Sequence, residues 1–463
     1  MTTLSDRLPP DRTQRWAIGS AYTAVFFSPV SISVAQASQL VMLAVAALFL
    51  YRNRGPLLRS PLPWLALFFL VYVILRGFWA AHLEMPDIAH AHWAGAREWV
   101  SAAIIPMVVF GLVLAATGDW LRHSAGLLIA WLLGFVVYLA INVSPGDFFQ
   151  ALQGQGRYFF EMGFRGVTLT FPAIIVGLVI FVPFLLARSA STSGKLRVQL
   201  LAGIFLLCVV LAFATAALIA IQGRAAWINT ALVLLLLGVM AAWVYRKEMV
   251  FSKRTLLATA MMVVLVPAVV LVASWDTVSK RWQSPGVQSV SMLVGGDLDS
   301  LESDSATVRV AYWKFGIDAV LERPLTGYGL ASPGSVRDYH GGWGAFDSDA
   351  PSLIRERGDN LHNSHIGVLF RMGLLGYVPI AIVILIALNE ARLNLQSPGL
   401  PRALALFVVV FTALLGLWAM YEDFFSKFRI TQLYGPIIGT MLASHFARKL
   451  RIEITTGENR EHG

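Results

Sequence analysis

Long apolar runs alternate with short charged segments along almost the whole chain, and their spacing is what the sequence dictates first. A hydrocarbon layer of about 30 Å is crossed by roughly 20 apolar residues in a helix, because in lipid each backbone N–H and C=O must be satisfied within the segment. Runs of that kind fall at 16–35, 36–51, 61–80, 99–117, 124–142, 166–187, 197–217, 223–244, 255–274, 364–388, 402–421 and 429–446. The pattern predicts an all-α integral membrane protein with about 12 transmembrane helices. The first two runs are the most diluted, by Pro29, Ser31 and Ser33.

One interval breaks the rhythm. Residues 275–361 are polar and rich in Gly, Ser and Asp, and they separate nine predicted helices in 1–274 from three in 362–447, with a tail at 448–463. Inside the interval Val308, Ala311, Tyr312, Phe315, Ala319 and Val320 recur at helical spacing. Pro324 and the glycines after it end that stretch. The spacing predicts an amphipathic helix lying along the membrane surface. Loops of this length inside a compact domain are usually functional.

Composition agrees with the pattern: 57% of the 463 residues are hydrophobic, 14% are charged and the mean hydropathy is +0.66. Charge then orients the helices. With both termini in the cytoplasm, the inner segments are 1–15, 51–60, 118–123, 188–197, 245–254, 389–402 and 447–463, and they hold more than half of the 36 Lys and Arg residues. That satisfies the positive-inside rule and puts 275–361 on the outer side. The net charge of +9 is thereby explained by topology, and no basic soluble domain is left to carry a nucleic-acid groove. Cys208 is the single cysteine, so no intrachain disulfide forms. The first fifteen residues are polar and basic without a small-residue cleavage site, so no cleaved signal peptide is expected.

The basic residues left on the outer side are the ones that need a reason. His362 and His365 open a helix in "HNSHIGVLFRMGLLG", residues 362–376. His362 could be only a polar start at the interface; as a functional group, an imidazole with an ordinary pKa of about 6.5 suits a general base. His365 is one turn on and shares that face, and Asn363 either orients the ring or caps the helix. Arg224 in "IQGRAAWI" begins a nearly unbroken apolar helix. Snorkelling would explain it, but an outer arginine runs against the charge bias, and a guanidinium matches phosphate geometry. Arg309, Arg165 in "GFRGVTLTF" and Arg281 in "SKRWQS" are further anion-binding candidates, each with lipid head-group contact as the alternative. Arg371 lies nine residues after His362, about half a turn round, and is expected to pair with a carboxylate or reach head groups. Gly373 and Gly376 suggest close helix packing. His90 and His92 form an H-x-H pair without a clear third ligand, better suited to an interfacial segment with Trp93 and Trp99 than to a metal. No Asp-rich metal motif accompanies Asp347 and Asp349, so neither a metal nor another cofactor is expected.

Several elements, in order along the chain, resemble a known family. "HNSHIGVLFRMGLLG" is similar to the histidine motif of the O-antigen ligase and polymerase superfamily; Arg309 with Trp313, followed by "ERPLTGYGL", resembles its preceding loop signature; "IQGRAAWI" with Arg224 resembles its middle-helix arginine element. The resemblance implies an inner-membrane glycosyltransferase whose site faces the periplasm, inverting and metal-independent. Its donor would be a glycan on undecaprenyl diphosphate, and its acceptor lipid A core oligosaccharide. His362 would be the base, and Arg224, Arg309 and Arg165 would hold the diphosphate, with Asn363, His365 and Arg281 in support. Polymerisation of a second lipid-linked repeat, or transfer to protein Ser or Thr, remain open within the superfamily. Of another class altogether are secondary transporters and lipid-linked glycan flippases, which also use twelve helices; those usually show two related halves with broken helices at the midplane.

Overall fold

The computed structural model describes residues 11–155, 158, 164–190, 192–245, 268–283, 305–340 and 360–461. Its main helices are α1 (Asp11–Phe27), α2 (Ile32–Arg52), α3 (Pro61–Trp79), α4 (Ala89–Val100), α5 (Ile104–Ala116), α6 (Trp120–Asn142), α7 (Pro145–Leu152) and α8 (Phe164–Ala190). They continue with α9 (Gly194–Ala220), α10 (Arg224–Tyr245), α11 (Trp275–Gln283), α12 (Ser305–Glu322), α13 (Pro333–Tyr339), α14 (Ser364–Asn394), α15 (Leu400–Ala419) and α16 (Phe428–Glu461). Among the described residues there is no strand, and nine helical segments are long and apolar enough to cross a bilayer. The protein is an all-α integral membrane protein.

Three of the twelve expected spans are not among those nine, for different reasons. The first turns early: α1 ends at Phe27, and the chain turns at residues 28–31 around Pro29 before α2 starts. Most of the expected span at 255–274 lies outside the described residues. The last run forms α16, which extends to Glu461 through the expected tail, and polar residues such as Thr431, Gln432, Thr440 and His445 dilute its hydropathy. The run expected at 99–117 is also not one piece. A break at Ala103, with φ +49°, divides it into α4 and α5.

The chain folds into two compact units. The first holds residues 1–137, 285–390 and 419–463; the second holds 138–284 and 391–418. At the centre of the first is α5, which is hydrophobic all round and buried on nearly every side. It packs chiefly on α16, where glycines let the backbones approach: a Cβ on Gly439 would lie 2.7 Å from that of Phe110, and one on Gly111 2.7 Å from that of Leu442. In the second unit α8 packs against α9, and α10 follows after a tight turn.

Residues 305–340 and 360–361 of the long loop belong to the first unit and have their own core. Tyr312, Phe315 and Ala319 of α12 do not face lipid, as the spacing suggested; they are buried with Tyr328, Ala331, Val336, Leu361, Phe370 and Met85. Backbone pairing holds the loop down. The amides of Tyr328 and Gly329 donate to the carbonyls of Phe370 and Arg371 at 2.7 and 3.0 Å, and those of Leu374 and Leu375 donate to Pro324 and Leu325 at 2.8 and 3.1 Å. That exchange is possible because α14 is interrupted at Gly373, with φ +58° and ψ −162°, which frees backbone groups that an intact helix would use. Buried Arg76 of α3 completes the clamp, donating to the carbonyls of Thr326 and Gly327 and pairing with Glu84 at 2.9 Å. Glu84 also takes Arg323 at 3.2 Å, and the Arg323 guanidinium covers the Tyr328 ring. Burial and the neighbouring Arg323 charge lower the pKa of His340. Burial and a bond to Glu322 push the Tyr328 hydroxyl up.

The other end of the same unit is closed by a second polar cluster. His445 of α16 bonds Ser60 through Nε2 at 3.0 Å and Glu390 of α14 through Nδ1 at 3.0 Å, and Arg448 also pairs with Glu390.

Candidate functional site

The site is built where α14 begins. Residues 360–363 approach the helix in a tight turn: the amide of His362 donates to Asn360 Oδ1 at 3.2 Å, and His362 sits at φ +50°, a conformation that costs a non-glycine residue roughly 1 kcal/mol or more. Asn363 caps the helix, its Oδ1 accepting from the Ile366 amide at 3.0 Å. Ser364 then sews on a second segment, "YEDFF" at 421–425, by donating to the Glu422 carbonyl at 2.6 Å and accepting from the Phe424 amide at 2.9 Å. Fully buried Tyr434 of α16 ties that segment to the α4–α5 break, accepting from the Ala103 amide and donating to the Phe425 carbonyl, each at 3.1 Å.

This scaffold gathers charge. Glu422, with a side chain only 3% exposed, receives Arg309 of α12 on Oε1 at 3.4 Å and faces His362 Nδ1 with Oε2 at 3.6 Å. At that distance the imidazole nitrogen makes no hydrogen bond, though it is buried. An approach of a few tenths of an ångström would create one, and catalytic contacts often tighten in this way once substrate is bound. One residue on, buried Asp423 pairs with buried Arg371 at 3.1 Å, supplying the carboxylate partner that Arg371 required. Gly367 lies beside it: a Cβ there would be in ordinary contact, 3.4 Å from the Asp423 carboxylate.

Aromatic rings frame the imidazole. Tyr312 stacks near it with centroids 6.1 Å apart, and Trp313 donates from Nε1 to the His362 carbonyl at 3.4 Å. His365 is turned to a different partner, Tyr377, whose hydroxyl is 3.0 Å from its Nδ1.

Of the residues singled out from sequence, His362, Asn363, His365 and Arg309 therefore lie together in the first unit. Arg224, Arg165 and Arg281 belong to the second. Arg224 is the first residue of α10 and follows a stapled turn: Gln222 at φ +53° donates its amide to Ile219, the Tyr158 amide takes the Ala220 carbonyl at 3.1 Å, and Trp227 Nε1 takes the Leu218 carbonyl at 2.7 Å. Arg165 lies in the first turn of α8 and Arg281 in α11, with side chains outside the described ones. His90 and His92 diverge. His90 is exposed, while His92 is buried and accepts from the Ala331 amide at 3.2 Å, so His92 alone anchors the loop from α4.

Sequence reasoning missed Glu422 and Asp423. Two consecutive carboxylates directly after a long apolar run were the available signal, because acidic groups at a membrane helix end are costly unless paired or functional.

Residues 207–381 match the model of the O-antigen ligase family. That stretch resembles an O-antigen ligase domain. The matched stretch takes in Arg224, Arg309, His362 and the Gly373 break. Glu422 and Asp423 lie beyond the matched residues, in the segment between α15 and α16. No curated protein sequence matches the chain.

Proposed function

We propose that the protein is an O-antigen ligase of the bacterial inner membrane that moves a glycan from undecaprenyl diphosphate to lipid A core oligosaccharide on the periplasmic face. The single observation that carries this reading is the imidazole of His362 set against a buried carboxylate. With Nδ1 turned to Glu422, Nε2 is left for substrate. It takes the proton of the acceptor hydroxyl while that oxygen bonds to the anomeric carbon; the bond from this carbon to the diphosphate oxygen breaks, and its electron pair leaves with the lipid diphosphate. Glu422 holds the ring in the required tautomer and stabilises the imidazolium that forms, as an acid partner of a catalytic histidine does.

No nucleotide is needed, because the donor's glycosyl diphosphate already stores the energy. Arg309 takes the diphosphate charge as it departs, the role that the sequence resemblance also implies for Arg224 and Arg165, since a guanidinium stays ionised and offers a planar fork to phosphate oxygens. Arg309 also holds Glu422, which couples the base to the leaving-group side. Asn363, His365 and Arg281 support the site.

Reconstitution tests the reading with undecaprenyl-diphosphate glycan and three acceptors supplied separately. Product on lipid A core is expected. Longer lipid-linked chains would make the protein a polymerase, glycosylated Ser or Thr a protein oligosaccharyltransferase, and movement of the donor across the bilayer without transfer a flippase. His362→Ala is expected to lower transfer by about 10²- to 10⁴-fold; full activity in that variant would overturn the assignment of the base.

A further inference from the structure

We propose that Trp313 and Tyr421 form the subsite that holds the acceptor's sugar ring, a step that rests on His362 being the base. The two side chains come from different elements, α12 and the segment after α15, yet their rings meet with centroids 6.3 Å apart at an interplanar angle of 60°. Both are half-buried, so this aromatic corner is partly open. In the same cluster, Tyr312, Phe315 and Phe370 are buried in the loop core, and that core does not need Trp313 or Tyr421.

Position gives the corner its substrate. Trp313 is bonded to the carbonyl of His362 itself, and Tyr421 immediately precedes the carboxylate that faces the same imidazole. A base can act only on a hydroxyl within hydrogen-bond reach, so the sugar bearing that hydroxyl lies within one ring's breadth of His362. In an inverting displacement the leaving diphosphate departs from the face opposite the attacking oxygen. Trp313, bonded to the backbone of the base itself, therefore lies on the acceptor side of the reacting carbon. A pyranose offers a face of C–H bonds that packs against the electron-rich face of an aromatic ring, and a rim of hydroxyls. Trp and Tyr supply both an apolar ring and a polar tip, and the Tyr421 hydroxyl makes no hydrogen bond among the described residues. Apolar ring contact orients the acceptor, while the anionic donor is held by arginine.

The test is steady-state transfer by the full-length protein in liposomes, with donor and acceptor concentrations varied in turn. Trp313→Leu and Tyr421→Leu are each expected to raise the acceptor KM about tenfold, leaving kcat and donor KM unchanged. Trp313→Phe keeps a flat ring but loses the bond to the His362 carbonyl, and it is expected to hold the acceptor KM within about threefold of wild type. Three outcomes would overturn the proposal: a rise in donor KM instead, a fall in kcat at constant acceptor KM, which would leave the ring only positioning His362, or no change in either leucine variant. Should Trp313→Leu fail to fold, Tyr421→Leu decides alone. Transfer by His362→Ala would instead sink the assignment of the base, whereas loss of transfer there with an unchanged acceptor KM in Trp313→Leu would sink only the subsite.

Discussion

Glu422 is where the residue-scale argument is sharpest, because one buried carboxylate serves two cations of different use. Its Oε1 holds Arg309 and its Oε2 faces His362, so Glu422→Gln would weaken both the tautomer control of the imidazole and the anchor of the guanidinium. We expect kcat to fall roughly 10- to 100-fold with little change in the acceptor KM, since the contact to His362 matters most when the imidazolium forms. The decisive measurement is the double variant. If Glu422 acts through His362, adding Glu422→Gln to His362→Ala costs nothing further; an additive loss would show that the carboxylate works elsewhere. The histidine was legible in the sequence from its setting, an ionisable ring at the mouth of an apolar helix. Its partner was not, because 60 residues and two whole helices separate them, and only the fold, through Ser364 and Tyr434, brings "YEDFF" back to the start of α14.

At the scale of elements, the two glycine-bearing motifs that bracket the site turn out to be halves of one structure. "RPLTGYGL" and the start of α14 exchange four backbone hydrogen bonds across the Gly373 break, and Gly327 and Gly373 serve that contact. A Cβ on Gly373 would sit 2.3 Å from the carbonyl carbon of Leu325, at φ +58°, a combination of clash and backbone strain that neither neighbour can relieve. Gly373→Ala should therefore destabilise the protein by more than ~2 kcal/mol, lowering its melting temperature in detergent and exposing the loop to protease. Gly238→Ala in α10, where nothing lies within 4 Å, should be neutral or stabilising by up to about 1 kcal/mol. Equal effects of the two would remove the special role of Gly373. The same contrast explains what the pattern of the chain revealed. Lipid demands long apolar runs, so α3, α6, α9 and α14 could be placed from composition alone. The break at Ala103 and the burial of α12 depend on partners distant in sequence, Tyr434 in one case and Phe370 in the other, and hydropathy carries no trace of them.

For the whole molecule the open physical quantity is orientation, because the chemistry proposed depends on which face the site occupies. A diphosphate-linked donor is the right energy source only where nucleotide sugars are missing, on the outer side; on the cytoplasmic side the same arginines and histidine would have no need of it. The bias of Lys and Arg toward the expected inner segments argues for the outer side, and in the first unit the two ends of α14 carry opposite kinds of cluster. One end has His362 with its rings and carboxylates; the other, 28 residues on at Glu390, is closed by His445, Arg448 and Ser60. The chain makes this easy to test, since Cys208 is its single cysteine. In a Cys208→Ser background, Asp338→Cys replaces a side chain 66% exposed beside the site's loop, and Arg54→Cys replaces an exposed residue in an expected inner segment. A membrane-impermeant maleimide should label Asp338→Cys in intact spheroplasts and Arg54→Cys only after permeabilisation. The reverse pattern would put His362 in the cytoplasm, where a glycosyl nucleotide could serve as donor, and the case for a lipid diphosphate would lose its energetic basis even if every residue of the site proved essential.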